Sequence, residues 1–339
     1  MSSRRVVLAG WRQVTQGKEE SLDRLQDPIG LMAAASRQAF EMCGAFDVSR
    51  SLDGVMVVKV MSTCYTSADR WLAERMGITP RFSMTSKIGG NSPQSLINKA
   101  AGMIARGELD SVLITGAEAY YPRDKSKQFH GSRLFQGFSP AYEEDDIIGA
   151  TELEAHHAMS LPIQGFPLFE TALWAESGMA LGPYMEKIGT LWAGFSQVAA
   201  VHPNAWSRTP RTDEEISIPS ATNRFIGFPY TKLMNPLITA DLGAAVLLMA
   251  EEKAKRYRFT GKRSVYFWSG GYAEDRQRFL IEKSDFTSSL PLCIFRSKTP
   301  ICSARRRPPI PIDSDHLLRL IAPTHYEEGA HPKLWADSA

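Results

Sequence analysis

Short apolar runs alternate with amphipathic stretches over the first 120 residues. Val6 to Ala9 reads as a strand. Asp27-Pro28 opens a helix through Ala33, Ala34, Ala39, Phe40 and Met42 that Gly44 closes, because aspartate accepts from free first-turn N–H groups and proline is preset for the helix start. Asp53-Gly54 then turns into Val55 to Val60, a β-branched run of the kind buried on both faces of a sheet. A helix is predicted over Ala68 to Met76, stopped by Gly77, and a strand over Phe82 to Thr85. Gly89-Gly90-Asn91-Ser92-Pro93 leads into a helix from Gln94 to Arg106, stopped by Gly107. Ser111 to Ala117 is the next strand. Strands and helices in this order predict an α/β fold, a parallel or mixed sheet with helices on both faces.

The pattern breaks from Tyr121 to Met234, where Pro, Gly and aromatic residues are frequent. One helix is predicted there, Pro183 to Val201, with Trp192, Phe195 and Ala199 on one stripe. The segment reads as an insertion packed on one end of the sheet. The α/β pattern resumes at Asp241 to Met249, followed by charged Glu251-Glu252-Lys253, and a further strand is predicted over Ser264 to Trp268. After Asp285 the composition changes again: residues 286–312 hold no Asp or Glu, but hold Arg305-Arg306-Arg307 and Pro308-Pro309-Ile310-Pro311. No helical or strand period persists there, and the segment reads as a basic, Pro-rich tail. The predicted organisation is therefore residues 1–120, an insertion over 121–234, a return over 235–285 and the tail over 286–339.

Composition narrows the function classes. The 339 residues are 43% hydrophobic and 22% charged, an ordinary globular balance with ample length for a core. No apolar run approaches the ~18 residues of a membrane span, the longest clear one being Ala244 to Ala250, and the N-terminal apolar stretch is too short for a signal peptide. A cytoplasmic protein without membrane contact is expected. Net charge is +2, and the seven basic and five acidic residues after Asp285 carry all of it. The preceding body is formally neutral, so no nucleic-acid partner is expected. Cys43, Cys64, Cys293 and Cys302 lie far apart without CxxC spacing, which predicts neither a disulfide framework nor a zinc site. His156-His157 are neighbours in a helical stretch and point about 100° apart, a poor chelating pair. No metal is expected.

The stretch from Gly90 through Ile104-Ala105-Arg106-Gly107, followed by Leu113-Ile114-Thr115-Gly116-Ala117-Glu118, resembles the thiolase superfamily. Asp241-Leu242-Gly243-Ala244-Ala245 is similar to that family's strand after its loop domain. Ile188 to Ala193, Asn204-Ala205-Trp206 and Phe228 to Asn235 resemble its divergent thiolase-like branch, usually labelled acetyl-CoA acetyltransferase. The likeness runs over about residues 5 to 290. It implies an αβαβα layered fold built from two similar halves, a role in lipid metabolism, and coenzyme A esters as substrate or ligand with no other cofactor. Members are dimers or larger, and the implied partners are a second copy, an active thiolase or a small OB-fold subunit.

The same resemblance shows departures. The family's nucleophilic cysteine stands at a helix N-terminus, where free N–H groups and the macrodipole favour the thiolate, and it forms an acyl-enzyme from a thioester. Aligning the Gly107 stop puts Gly90 at that position, and glycine has no nucleophile. Ser92 reads as the N-cap before Pro93, with a catalytic serine as the other reading. Cys64, in the loop after the Val55 strand, is either a spare nucleophile or a small apolar filler; Cys43 reads as structural. Arg208 and Arg211 lie where the loop domain of the family meets coenzyme A, and otherwise read as solvated charge. Asn91, Ser92, Arg208, Arg211 and Asn235 are the expected ligand-binding residues. The family pattern stops near Thr287, and His325 and His331 lack its context, so the second half is expected to be incomplete; a shifted reading frame or shortened gene would produce this and the acid-free tail together. Three readings stay open: acyl transfer, a non-catalytic coenzyme A ester carrier or partner subunit, and a fragment without function of its own.

Overall fold

A computed structural model describes residues 4–18, 20–21, 24–44, 51–120, 149–237, 239–257, 265–275 and 277–289. Part of the insertion (121–148), most of the tail, and with it Cys293, Cys302, His325 and His331, lie outside the described residues. Six strands form one mixed sheet in the order β3-β2-β4-β7-β1-β8. They are β1 (Val6–Thr15), β2 (Gly54–Val57), β3 (Phe82–Thr85), β4 (Ser111–Ala119), β7 (Asp241–Ala250) and β8 (Val265–Phe267). β2 runs parallel to both β3 and β4, while β7 is antiparallel to β4 and β1. Three strands fed by crossover helices thus share one direction.

Side-chain alternation sorts the core into two faces. Val55, Val57, Leu113, Leu247 and Met249 face α1 (Pro28–Met42) and α2 (Ala68–Met76). Met56, Val112, Ile114 and Leu248 face α3 (Ser92–Ala105), against Leu96, Ala100, Ala101 and Ile104. The result is three layers, α/β/α. Helix α1 buries ten of its fifteen residues, which its small side chains permit. Asp27 caps it by accepting from Gly30 N at 2.8 Å. Gly10, beside a bulge in β1, lets the α1 backbone approach so closely that a Cβ there would lie 2.2 Å from the Ala39 carbonyl oxygen. Gly77 and Gly107 end α2 and α3 at φ 64° and 78°, where other residues are strained.

The strand predicted over Ser264 to Trp268 is present as Val265–Phe267 and pairs antiparallel with β1 at the edge of this sheet. The insertion holds more regular structure than its composition suggests. Besides α6 (Leu181–Val201) it contains α4 (Glu152–His156), α5 (Pro162–Ser177), α7 (Asp213–Ser217) and a hairpin of β5 (Phe225–Gly227) and β6 (Tyr230–Thr231). Its small core is Tyr184, Ile188, Ile216 and Met234, with Trp174 and Trp192 against it. The predicted stripe on α6 is corrected accordingly. Phe195 stays 42% exposed, and Tyr184 and Ile188 form the buried line. Helix α5 escapes sequence reading because Pro167 interrupts it and its apolar residues follow no clean helical period.

Candidate functional site

Connectivity gathers the candidate residues at one edge of the sheet. The carboxyl ends of the parallel strands β2, β3 and β4 lie together, and in open α/β sheets ligands bind outside those ends. The inserted lobe leaves after β4 and returns at Asp241, which pairs with Ala119 at this same edge. Thr15, at the end of β1, donates through Oγ1 to the Asn204 carbonyl at 2.9 Å and fastens the lobe there.

After β2 the chain enters a loop pinned at both ends by carboxylates. Glu118, near the end of β4, accepts from Met61 N and Ser62 N, each at 2.8 Å. Asp27 Oδ2 accepts from the Tyr65 hydroxyl at 2.7 Å. Between these anchors lies Cys64, which is exposed. Burial pushes the Glu118 carboxyl above its ordinary range, against the pull of its hydrogen bonds from Ser62 and Met61. Lys59, Ser62, Thr63 and Ser86 are buried around the same strand ends, an unusual density of polar groups inside a core. Sequence reading missed Glu118 as a loop anchor; the available signal was a single acid ending an otherwise apolar strand.

From β3 the chain passes through Ser86 to Asn91 into α3. The helix begins at Ser92, one residue earlier than a Ser92 cap requires. Asn91 holds the cap position without a side-chain capping bond, and the Ser92 hydroxyl donates back to the Lys87 carbonyl at 2.9 Å. Ser92 is therefore a buried first-turn residue committed to the preceding loop, not the N-cap. Gly90 is exposed, and a Cβ added there would meet nothing within 4 Å. The helix start thus has room for a side chain that the sequence does not supply.

The remaining candidates are scattered over the lobe. Arg208 turns onto its own loop, donating to the carbonyls of Pro203 and Ala205. Arg211 pairs with Glu215 at 3.4 Å. Asn235 donates from Nδ2 to the Thr231 carbonyl at 2.7 Å, while its buried Oδ1 finds no donor among the described residues. Such an orphan costs on the order of 1–3 kcal/mol. A groove of about 390 Å³ opens elsewhere on the lobe, lined by Met185, Glu186, Asp213, Glu214, Phe225 and Phe228 among others, and it includes none of the residues chosen from sequence. Cys43 is buried at the end of α1 with its thiol directed at the Phe40 carbonyl. His202 caps the C-terminus of α6, and its Nδ1 accepts from Asn204 N at 3.2 Å. His156 and His157 meet edge-on with ring centres 5.6 Å apart. Among the described residues no group of His, Cys, Asp or Glu is arranged to hold a metal, and no helix is long and apolar enough to cross a membrane.

Within the lobe, Glu170 of α5 is buried between two tyrosines. It accepts from the Tyr184 hydroxyl at 2.5 Å and from that of Tyr230. Burial, then the hydrogen bond to Glu170 and its charge, hold both phenols above their ordinary range. Three segments are tied together by one carboxylate, and none of the three residues stood out in sequence.

A mixed sheet in this strand order, helices on both faces and a helical lobe inserted between β4 and β7 define the fold of thiolase-like proteins. The chain is similar to a monomeric SCP2-thiolase-like protein type 1 from Mycobacterium smegmatis. That similarity has a TM-score of 0.66 and 27% identity, over 86% of this chain and 55% of that one. An Ltp2–ChsH2(DUF35) aldolase shares the fold at a TM-score of 0.54 and 18% identity, over 76% of this chain and 58% of that one. No family model matches the sequence, and neither does any curated protein. The chain has a thiolase-like fold, diverges in sequence from both of these relatives, and spans little more than half the length of either.

Proposed function

We propose that the chain binds an acyl-CoA at the carboxyl edge of its sheet and holds the thioester at the start of α3 without forming an acyl-enzyme. The observation that carries this reading is Gly90, exposed at a helix N-terminus with open space where a side chain would stand. Free N–H groups at such a start favour a carbonyl oxygen or an anion, and they persist without a nucleophile. Covalent transfer needs a nucleophile beside them. Cys64 sits on an anchored loop and is the cysteine to test for that role, while Asn91, next to Gly90, supplies a polar contact for the ligand. Buried Ser92 contributes through its backbone rather than its hydroxyl.

The test is calorimetric titration with acetyl-CoA, followed by mass spectrometry of the incubated protein. Saturable binding with no added acyl mass supports the proposal. An acyl adduct that disappears in Cys64→Ala would replace it with covalent acyl transfer, and absence of binding to folded protein would reject it. Gly90→Cys adds a positive control, because a thiol at this helix start should gain the acyl mass that the wild type lacks. A partner subunit is the second reading, favoured by the aldolase relative, which joins Ltp2 to ChsH2(DUF35). Stoichiometric co-purification with an OB-fold protein or with a second copy of the chain would support it.

A further inference from the structure

The groove on the lobe combines an apolar wall with an acidic rim. Its wall holds Ile218, Phe225 and Phe228, which are 60%, 41% and 43% exposed, and its rim holds Glu186, Asp213 and Glu214. An exposed apolar patch rimmed by polar residues marks a binding surface. None of the three rim carboxylates pairs with a cation among the described residues. Nearby Arg211 is held by Glu215, and Arg224 donates to the Phe225 carbonyl at 2.9 Å. Phe228 is set in place by ring contacts with Trp174 of α5 and with Phe225, each at 5.9 Å.

We propose that this groove is a docking site for a basic, proline-rich segment, and that its occupant is residues 305–311 of the same chain. That segment, Arg305-Arg306-Arg307-Pro308-Pro309-Ile310-Pro311, joins positive charge to apolar rings and carries no acid. A polyproline II peptide has three residues per turn, so residues three apart share a face, and Arg305, Pro308 and Pro311 have that spacing. Aromatic-lined grooves take such proline faces, and a flanking arginine then meets a carboxylate. The chain also leads there. Phe286, close to the last described residue Ser289, meets Phe169 of α5 edge-on with ring centres 5.2 Å apart. Trp174 lies one and a half turns further along α5, which puts Phe228 within about 20 Å of Phe286. Residues 290–304 can span up to about 50 Å, so the segment reaches the groove of its own chain.

The experiment follows the fluorescence anisotropy of a labelled peptide of residues 303–312, titrated with full-length protein. One protein carries Arg305→Glu, Arg306→Glu and Arg307→Glu, so that its own segment no longer competes. It should bind the peptide saturably and more weakly as salt rises. Adding Glu186→Gln, Asp213→Asn and Glu214→Gln should weaken binding about tenfold, the combined worth of three solvent-exposed ion pairs. Wild type should also bind about tenfold more weakly, because an attached segment competes at an effective concentration of about 1 mM against a peptide Kd of about 100 μM. Equal binding by wild type and the arginine variant would overturn occupancy by the chain's own segment. So would a wild-type dimer that the arginine variant loses, since the segment would then sit in a second copy. Absence of saturable binding, or binding indifferent to the three amides, would overturn the site itself. None of the three carboxylates is buried, so the amide variant should fold, and matching circular dichroism and unfolding midpoints check this. A peptide with its three arginines changed to glutamate tests the same contact without altering the protein, and its binding as tightly as the native peptide would refute the charge pairing.

Discussion

Removing the Glu118 carboxylate tests whether the loop carrying Cys64 is held from β4. In Glu118→Ala the N–H groups of Met61 and Ser62 lose acceptors that both stand at 2.8 Å. Ser62 is fully buried, whereas Met61 is half-buried, so water can replace only part of the loss. At about 1–3 kcal/mol for each unpaired buried donor, the two together cost about 3 kcal/mol. Glu118→Gln keeps one acceptor oxygen and turns an NH₂ toward the other donor, so about half that loss is expected. Urea unfolding with an unchanged slope measures it. Hydrogen exchange locates it, since the Met61 and Ser62 amides should lose protection and Cys64 should alkylate faster than in wild type. The pH dependence has a definite sign. A carboxyl raised by burial contributes stability that is fully present below its unfolded value near 4.5 and is lost as pH rises through the higher folded value. Glu118→Gln should flatten stability in that window. Equal stability of wild type and Glu118→Ala, with unchanged protection at Met61 and Ser62, would refute the anchoring role.

Three further expectations follow from the packing. Gly10→Ala forces a methyl against the Ala39 carbonyl and should cost about 3 kcal/mol by displacing α1, whereas Gly90→Ala enters open space and should stay within about 0.5 kcal/mol; parallel urea curves that fail to separate the two would contradict the close approach. Glu170→Ala leaves two phenol donors without their shared acceptor and should destabilise the lobe by about 2–4 kcal/mol, read by Trp174 and Trp192 fluorescence, with Glu170→Gln intermediate. Burial raises the Asp53 carboxyl, but Lys253 at 3.2 Å and the bonds from Ser111 and Asp110 lower it further, leaving it below its ordinary 3.8. Its contribution is present above that value and lost as pH falls through the folded one, so Asp53→Asn should flatten the acid limb of stability below about pH 4.

The sheet and its two helical layers were legible in the chain because their signals are local. Asp27-Pro28 starts a helix wherever it precedes an apolar period, Gly77 and Gly107 stop helices through a backbone conformation their neighbours avoid, and the run at Val55 to Val57 must be covered on both faces. The gap at Gly90 was likewise a matter of residue identity. Tertiary structure decided what depends on distant partners. Glu118 became a loop anchor only when β4 lay beside β2. The buried carboxylate between Tyr184 and Tyr230 required α5, α6 and β6 to converge. Ser92 changed from a helix cap to a loop tether because the Lys87 carbonyl lay within its reach. The strand at 265–267 took an edge beside β1 that no local pattern specifies. Periodicity and turn chemistry concern residues a few positions apart, whereas a hydrogen bond between residues 61 and 118, or 15 and 204, exists only after the chain has folded.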